Sequence, residues 1–316
     1  MLRRWLNRIL ESEPIVRILA LAKRVKPWGF EGLSLYAVMR FFIEGIQKGA
    51  LATRSAAITF RLFLAVFPGI ILLLSIIPLI PVQDFQQNLF DNIRTFFPGD
   101  TFSLVENLLN DLIHRRHTEY FSIGFVLVLY YTSNSVNAIL QGFNGSYNLE
   151  RKGNPFLIRV VSLVLILVLG FLMVVAVSLI VFSSYAFDYL QEIGVISSGG
   201  LVIFLEVVRW IITILLMYVG ISTLYNAGNL RRIKWSIFSA GASFATMFFI
   251  IASLGFAYFI GQFARFDELY GYLGTLLILL IWMNFNSTIL LLGFELNTSI
   301  SRAKGDSTHE YLTEKG

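Results

Sequence analysis

The chain has 316 residues, of which 56% are hydrophobic and only 14% charged, and its mean hydropathy is +0.70. A soluble domain of this length rarely has that composition. The absence of cysteine excludes disulfides, iron–sulfur clusters and thiolate zinc sites, and the net charge of +5 matters less than where the charges fall.

The N-terminal stretch 1–53 is basic and amphipathic, and its first residues predict no cleaved signal peptide, because no continuous apolar core precedes Glu11. Ser34 to Gly49 reads as a helix with Leu35, Val38, Met39, Phe42, Ile43 and Ile46 on one face. That face either packs under the membrane-spanning region or lies on anionic lipid, with Trp5 and Trp28 at the head groups.

Six apolar runs follow, at Arg61–Pro81, Tyr120–Gln141, Val160–Phe182, Val207–Tyr225, Ser236–Ile260 and Tyr272–Leu292. Each approaches the roughly 20 residues that a helix needs to cross the hydrocarbon core. They are too long and too uniformly apolar for barrel strands. The expected fold is an all-α polytopic membrane protein, with a six-span region over 54–301 and a polar tail over 302–316.

Lys and Arg alternate across the connections. Arg151, Lys152 and Arg159 lie in the second, and Arg231, Arg232 and Lys234 in the fourth; the third has none between Phe182 and Glu206. The positive-inside rule then places both termini in the cytoplasm. The first outer loop, 82–119, predicts a helical hairpin, with Phe85, Leu89, Ile93 and Phe96 at helical spacing before the Pro98-Gly99 turn.

Polar groups inside a span are expensive and are candidates for function. Asn134, Asn137, Gln141, Asn144 and Asn148 step by three and four along one helix face. Such a stripe faces other helices or water, as interhelical glue or as the wall of a hydrated cavity. Five amides exceed what one helix contact needs, which favours the cavity. The sixth run adds Asn284, Ser287 and Thr288 on one side and Glu295 at its end; the first adds Arg61 at a similar depth. A pair between Arg61 and Glu295 would neutralise both charges. The alternative is that Arg61 snorkels to the head groups and Glu295 is solvated. Glu206 and Arg209 read as a local pair, Pro68 as a kink, and Gly241, Gly255 and Gly261 as points of close helix approach.

No phosphate-binding loop, HExxH spacing or two-metal carboxylate cluster occurs, and the histidines His114 and His117 fall on an Arg-rich helix end. No catalytic residue, metal site or cofactor is expected, and the basic loops need no nucleic acid to explain them.

The sequence resembles the YihY/BrkB membrane proteins. Arg54-Ser-Ala-Ala-Ile-Thr-Phe60 leading to Phe67-Pro68 is similar to the family's "RAAALAF…LFP" entry helix. Tyr270-Gly271-Tyr272-Leu273-Gly274, Trp282 and Leu290-Leu-Leu-Gly-Phe-Glu-Leu-Asn297 resemble its closing signature. Leu224-Tyr225 before the basic Arg231–Trp235 loop, and Asn144 with Tyr147, match further, with Ser146 in place of the usual alanine. The likeness runs from about Ala37 to Ser301. It implies a bacterial inner-membrane protein of six spans with both ends inside. The family carries an old ribonuclease label, and its members are connected with serum resistance, lipid export or sodium/proton exchange.

Together these observations point to a secondary transporter or lipid-handling protein for an anionic amphiphile. Arg61, Asn134, Asn137, Gln141, Asn144, Asn284, Ser287 and Glu295 would bind it from the cytoplasmic side. A cation/proton antiporter is one alternative. A non-transporting scaffold that meets envelope proteins through the hairpin is another. Substrate, energy source and oligomeric state are not encoded in any motif.

Overall fold

The computed structural model describes residues 20–27, 29–76, 118–146, 154–192, 199–228, 238–262 and 272–314. All regular structure in these residues is helical: beyond a short helical stretch at 20–24, it comprises α1 (Leu35–Lys48), α2 (Leu51–Ile76), α3 (Thr118–Asn144), α4 (Pro155–Glu192), α5 (Gly199–Gly228), α6 (Ala240–Gln262) and α7 (Tyr272–Glu314). The expected hairpin, the basic loops at 151–152 and 231–234, Trp5, Trp28, Asn148, His114 and His117 lie outside the described residues.

Among the described residues five helices are long and apolar enough to cross a membrane, within Leu51–Gly69, Phe156–Ile180, Gly200–Gly228, Ala240–Phe259 and Leu276–Asp306. The chain is therefore a multi-pass membrane protein. Helix α3 is 27 residues long, which reaches about 40 Å, but it is not among the five. Ser133, Asn134, Ser135, Asn137, Gln141 and Asn144 make its C-terminal half polar.

The helices outrun the apolar runs. Helix α2 starts at Leu51 rather than Arg61, so both Arg54 and Arg61 are inside it. Helix α7 has 43 residues, about 65 Å of length, roughly twice the hydrocarbon thickness. Its C-terminal part continues through residues read as tail because it has a protein partner there. Leu296, Ile300 and Ala303 are buried against Phe30, Val38 and Phe41.

That partner is α1. The Ser34 hydroxyl caps α1 by accepting from the Ala37 amide at 3.3 Å, and the Gly49 amide closes it by donating to the Gly45 carbonyl at 2.8 Å. The expected apolar face is rotated. Val38, Phe41 and Gly45 are the buried residues of α1, whereas Met39 and Ile43 of the expected apolar face are exposed. Beside that face the Lys48 ammonium, hydrogen-bonded to Glu44 at 2.6 Å, holds that carboxyl below its ordinary range.

The chain divides into two compact units, one of residues 1–58 and 137–316 and one of 59–136, the division falling within α2 and α3. In the smaller unit the Ser135 hydroxyl lies 2.8 Å from the Arg61 carbonyl and 2.9 Å from that of Tyr131, which ties α3 to α2. Pro68, inside α2, is buried, and Phe63 meets Phe67 edge to face at 5.1 Å.

In the larger unit α6 and α7 touch backbone to backbone. A Cβ on Gly241 would stand 2.0 Å from the Gly293 carbonyl oxygen, so only glycine permits this approach. Asn297 then reaches the start of α6. Its Oδ1 accepts from the Gly241 amide at 2.7 Å and its Nδ2 donates to the Ser239 hydroxyl at 3.1 Å. Tyr225 of α5 donates to the Leu290 carbonyl at 2.8 Å. Phe143 stacks on Phe294 at 4.3 Å, with Tyr225 edge-on to both rings.

Candidate functional site: a buried arginine–glutamate centre

The centre grows from the end of α3. The last carbonyls of a helix lack intrahelical partners and carry its negative dipole end. Arg54, in the first turn of α2, answers one of them: its Nη1 donates to the Gly142 carbonyl at 2.8 Å. Two glycines give the side chain room, and a third makes room for Ile58, one turn further along α2. A Cβ on Gly145 would meet Arg54 Cδ at 2.8 Å, one on Gly49 would meet Nη2 at 2.8 Å, and one on Gly142 would meet Ile58 Cδ1 at 2.9 Å.

Glu295 supplies the opposite charge. Its side chain is fully buried, and its Oε2 lies 3.6 Å from Arg54 Nη2, whose side chain is 11% exposed. At that separation the charges attract without a hydrogen bond between those two atoms. Arg54 Nε and Nη2 are both buried and donate no hydrogen bond within the protein. A guanidinium offers five N–H donors in a planar fork, and here the three on Nε and Nη2 make no hydrogen bond within the protein. Around the pair, Thr298 and Ser299 both donate to the Glu295 carbonyl, at 3.0 and 2.6 Å, and the Ser146 and Thr298 hydroxyls are 3.2 Å apart. Ser146 thus replaces an apolar alanine with a buried hydrogen-bonding group.

The expected ion pair at Glu295 is present, but with Arg54 as the arginine rather than Arg61. Arg61 and Asn134 belong to the smaller unit, and Asn137, Gln141, Asn144, Asn284, Ser287 and Glu295 to the larger. The amide stripe does not act as a uniform wall. Gln141 is exposed, whereas Asn144 is buried and donates from Nδ2 to the Leu140 carbonyl of its own helix at 2.8 Å. Asn137 keeps a buried Oδ1 with no hydrogen-bond partner. Ser287 is buried and Asn284 half-buried. The expected local pair is also present, with Arg209 Nη2 3.2 Å from Glu206 Oε1.

Arg54 and Glu295 lie in the two segments that carry the family likeness, so the first and last helices of the membrane region meet through the residues those motifs specify. The sequence model described as "Virulence factor BrkB" matches residues 42–315, which include both. The chain belongs to the virulence factor BrkB family. Among BrkB relatives, it is 28% identical over 258 residues to the ribonuclease-like protein YfkH of Bacillus subtilis, covering 80% of this chain and 90% of that one. It is 23% identical over 266 residues to a UPF0761 membrane protein of Aggregatibacter aphrophilus, covering 84% and 92% respectively. A UPF0761 membrane protein of Pseudoalteromonas translucida is 34% identical over a shorter 92-residue stretch, 29% of this chain and 31% of that one. No solved structure matches the chain.

Proposed function

We propose that this BrkB-family protein binds and moves an anionic amphiphile, with Arg54 holding the anionic head group. It would do so as a non-enzymatic, six-span protein of the bacterial inner membrane with both termini cytoplasmic. The observation that carries this reading is the pair of Arg54 donors, Nε and Nη2, buried in a membrane span without a hydrogen bond. Buried donors are nearly always satisfied, and leaving one unpaired costs about 1–3 kcal/mol. A phosphate or carboxylate can take both at once. Glu295 then serves as the counter-charge of the empty state, giving way when the ligand's oxygens arrive. In this reading the amide and hydroxyl groups of Asn137, Asn284 and Ser287 line the route rather than the anchor.

The test is native mass spectrometry of protein released with little delipidation. Wild type is expected to retain an anionic lipid. The double variant Arg54→Leu/Glu295→Leu, which leaves no lone buried charge, is expected to lose it while still melting as a folded protein. Identical adducts on both proteins would refute the assignment. One observation favours a second reading. A fully buried carboxylate inside a span is what a cation/proton antiporter requires, and Glu295 is one. Sodium-dependent proton flux in liposomes, abolished by Glu295→Gln and without a retained lipid, would establish that reading instead.

A further inference from the structure

A groove of about 510 Å³ opens where the loop before α1, α1 itself, the start of α6 and α7 come together. Its size lies within the roughly 300–1,000 Å³ of small-molecule sites. Phe30, Met39, Phe42, Phe238, Phe244 and Leu296 make its walls apolar. The polar groups at it already have partners. The Ser239 hydroxyl accepts from the Ala242 amide and from Asn297, Ser243 donates to the Ser239 carbonyl, and Glu31 pairs with Lys304. The loop forming one edge is held open by three residues in the left-handed region, Gly29 at φ +91°, Glu31 at +50° and Gly32 at +83°, which seat Phe30 in the core.

Two features identify what fills the groove. The first is continuity with the bilayer. Ala240 is both a groove wall and the first residue of the membrane-crossing part of α6. From Phe244 the same helix face runs on through Phe248 and Ile251, both exposed, so an apolar track leads from the lipid-facing surface into the groove. The second is charge. Lys23 sits over the Tyr36 ring, Arg40 and Arg302 over Phe41, and Lys304 beside Glu31, so cations outnumber acids on the bordering segments. The one charged lining residue, Glu31, is neutralised by Lys304, and an apolar slot entered from the hydrocarbon on segments rich in cations suits a chain with a negative head.

We propose that this groove holds one acyl chain of an anionic phospholipid drawn from the adjacent leaflet, as a resident lipid distinct from any cargo at Arg54. The site does not depend on the reading of the arginine centre. A lipid there would also cover Met39, which α7 leaves bare.

The full chain is reconstituted in vesicles doped with phosphatidylglycerol carrying a diazirine within one acyl chain, irradiated, and mapped by peptide mass spectrometry. Bulk lipid reaches Leu254, which is 68% exposed, but not Phe30 or Leu296, at 9% and 7%. Label on Phe30 or Leu296 as well as on Leu254 is expected. Ser243→Trp, which fills the groove, should reduce the inner label severalfold and spare Leu254. Met39→Trp serves the same purpose if the first variant does not fold. Label confined to Leu254 and similarly exposed residues would overturn the site. Equal inner labelling from phosphatidylcholine with the same diazirine would overturn the anionic assignment.

Discussion

Helices α4 and α5 are the most apolar of the five candidate spans, yet they are the least packed. None of the most apolar stretch of α5 is buried, and Leu167, Phe171, Met173 and Val174 of α4 stand exposed. The span of α7 is less apolar and has the largest buried share. The contrast follows from the solvent. Lipid tails satisfy a leucine as well as another helix does, so apolarity places a segment in the membrane without choosing its neighbour. The neighbour is chosen by groups lipid cannot satisfy, here Gly241 against Gly293, Asn297 on the start of α6, and Tyr225 on the Leu290 carbonyl. Between α4 and α5 the corresponding ties are thin. Arg209 Nη1 donates to the Ser183 hydroxyl at 3.3 Å, and a Cβ on Gly220 would merely touch Leu169 at an ordinary 3.6 Å.

Breaking the glycine contact should have the largest effect. Gly241→Leu forces a side chain into the Gly293 carbonyl and should cost about 3 kcal/mol or more, enough to deplete folded protein. Gly170→Leu in α4 and Gly255→Leu on the open side of α6, each with nothing within 4 Å, should melt like wild type. Thermal melts in detergent that rank Gly241→Leu with these two would end the comparison.

The charged centre comes next. Arg54→Met or Glu295→Met alone strands a buried charge and should cost roughly 3–5 kcal/mol, whereas the double variant should cost less than either. Equilibrium unfolding across that cycle measures the coupling, and simple addition of the two losses would show that the residues act separately. The smallest effects sharpen the contrast. Tyr225→Phe should lose about 1 kcal/mol by leaving the Leu290 carbonyl short of a donor. Ser183→Ala, at the looser α4–α5 tie, should lose less than about 0.5 kcal/mol. Reversal of that order would mean the two pairs are held alike.

Sequence periodicity and length located the helices because hydropathy is what inserts them. The ends were hidden for the same reason. Leu51 and Glu314 lie beyond the apolar runs, and in those extensions Arg54 and Ala303 meet protein, which no hydropathy profile records. The centre was half legible. Glu295 calls for a cation, but Arg54 and Arg61 are two turns apart on one face of α2, and their identities alone do not separate them. Clearance at Gly49 and Gly145 favours Arg54, and that clearance exists only once the helices are folded. In the amide stripe Asn148 lies outside the described residues, and Asn144 bonds its own backbone, a local choice open to any helical asparagine.

The seat of α1 on α7 sets a schedule for biogenesis. Glu31 and Lys304, which close that contact, are 273 positions apart. At about 5–20 residues per second the ribosome needs roughly 15–55 s to deliver the second after the first. For that interval Val38 and Phe41 have no α7 to cover them, and an amphipathic helix with cations on its flank waits at the membrane surface for the last span to arrive.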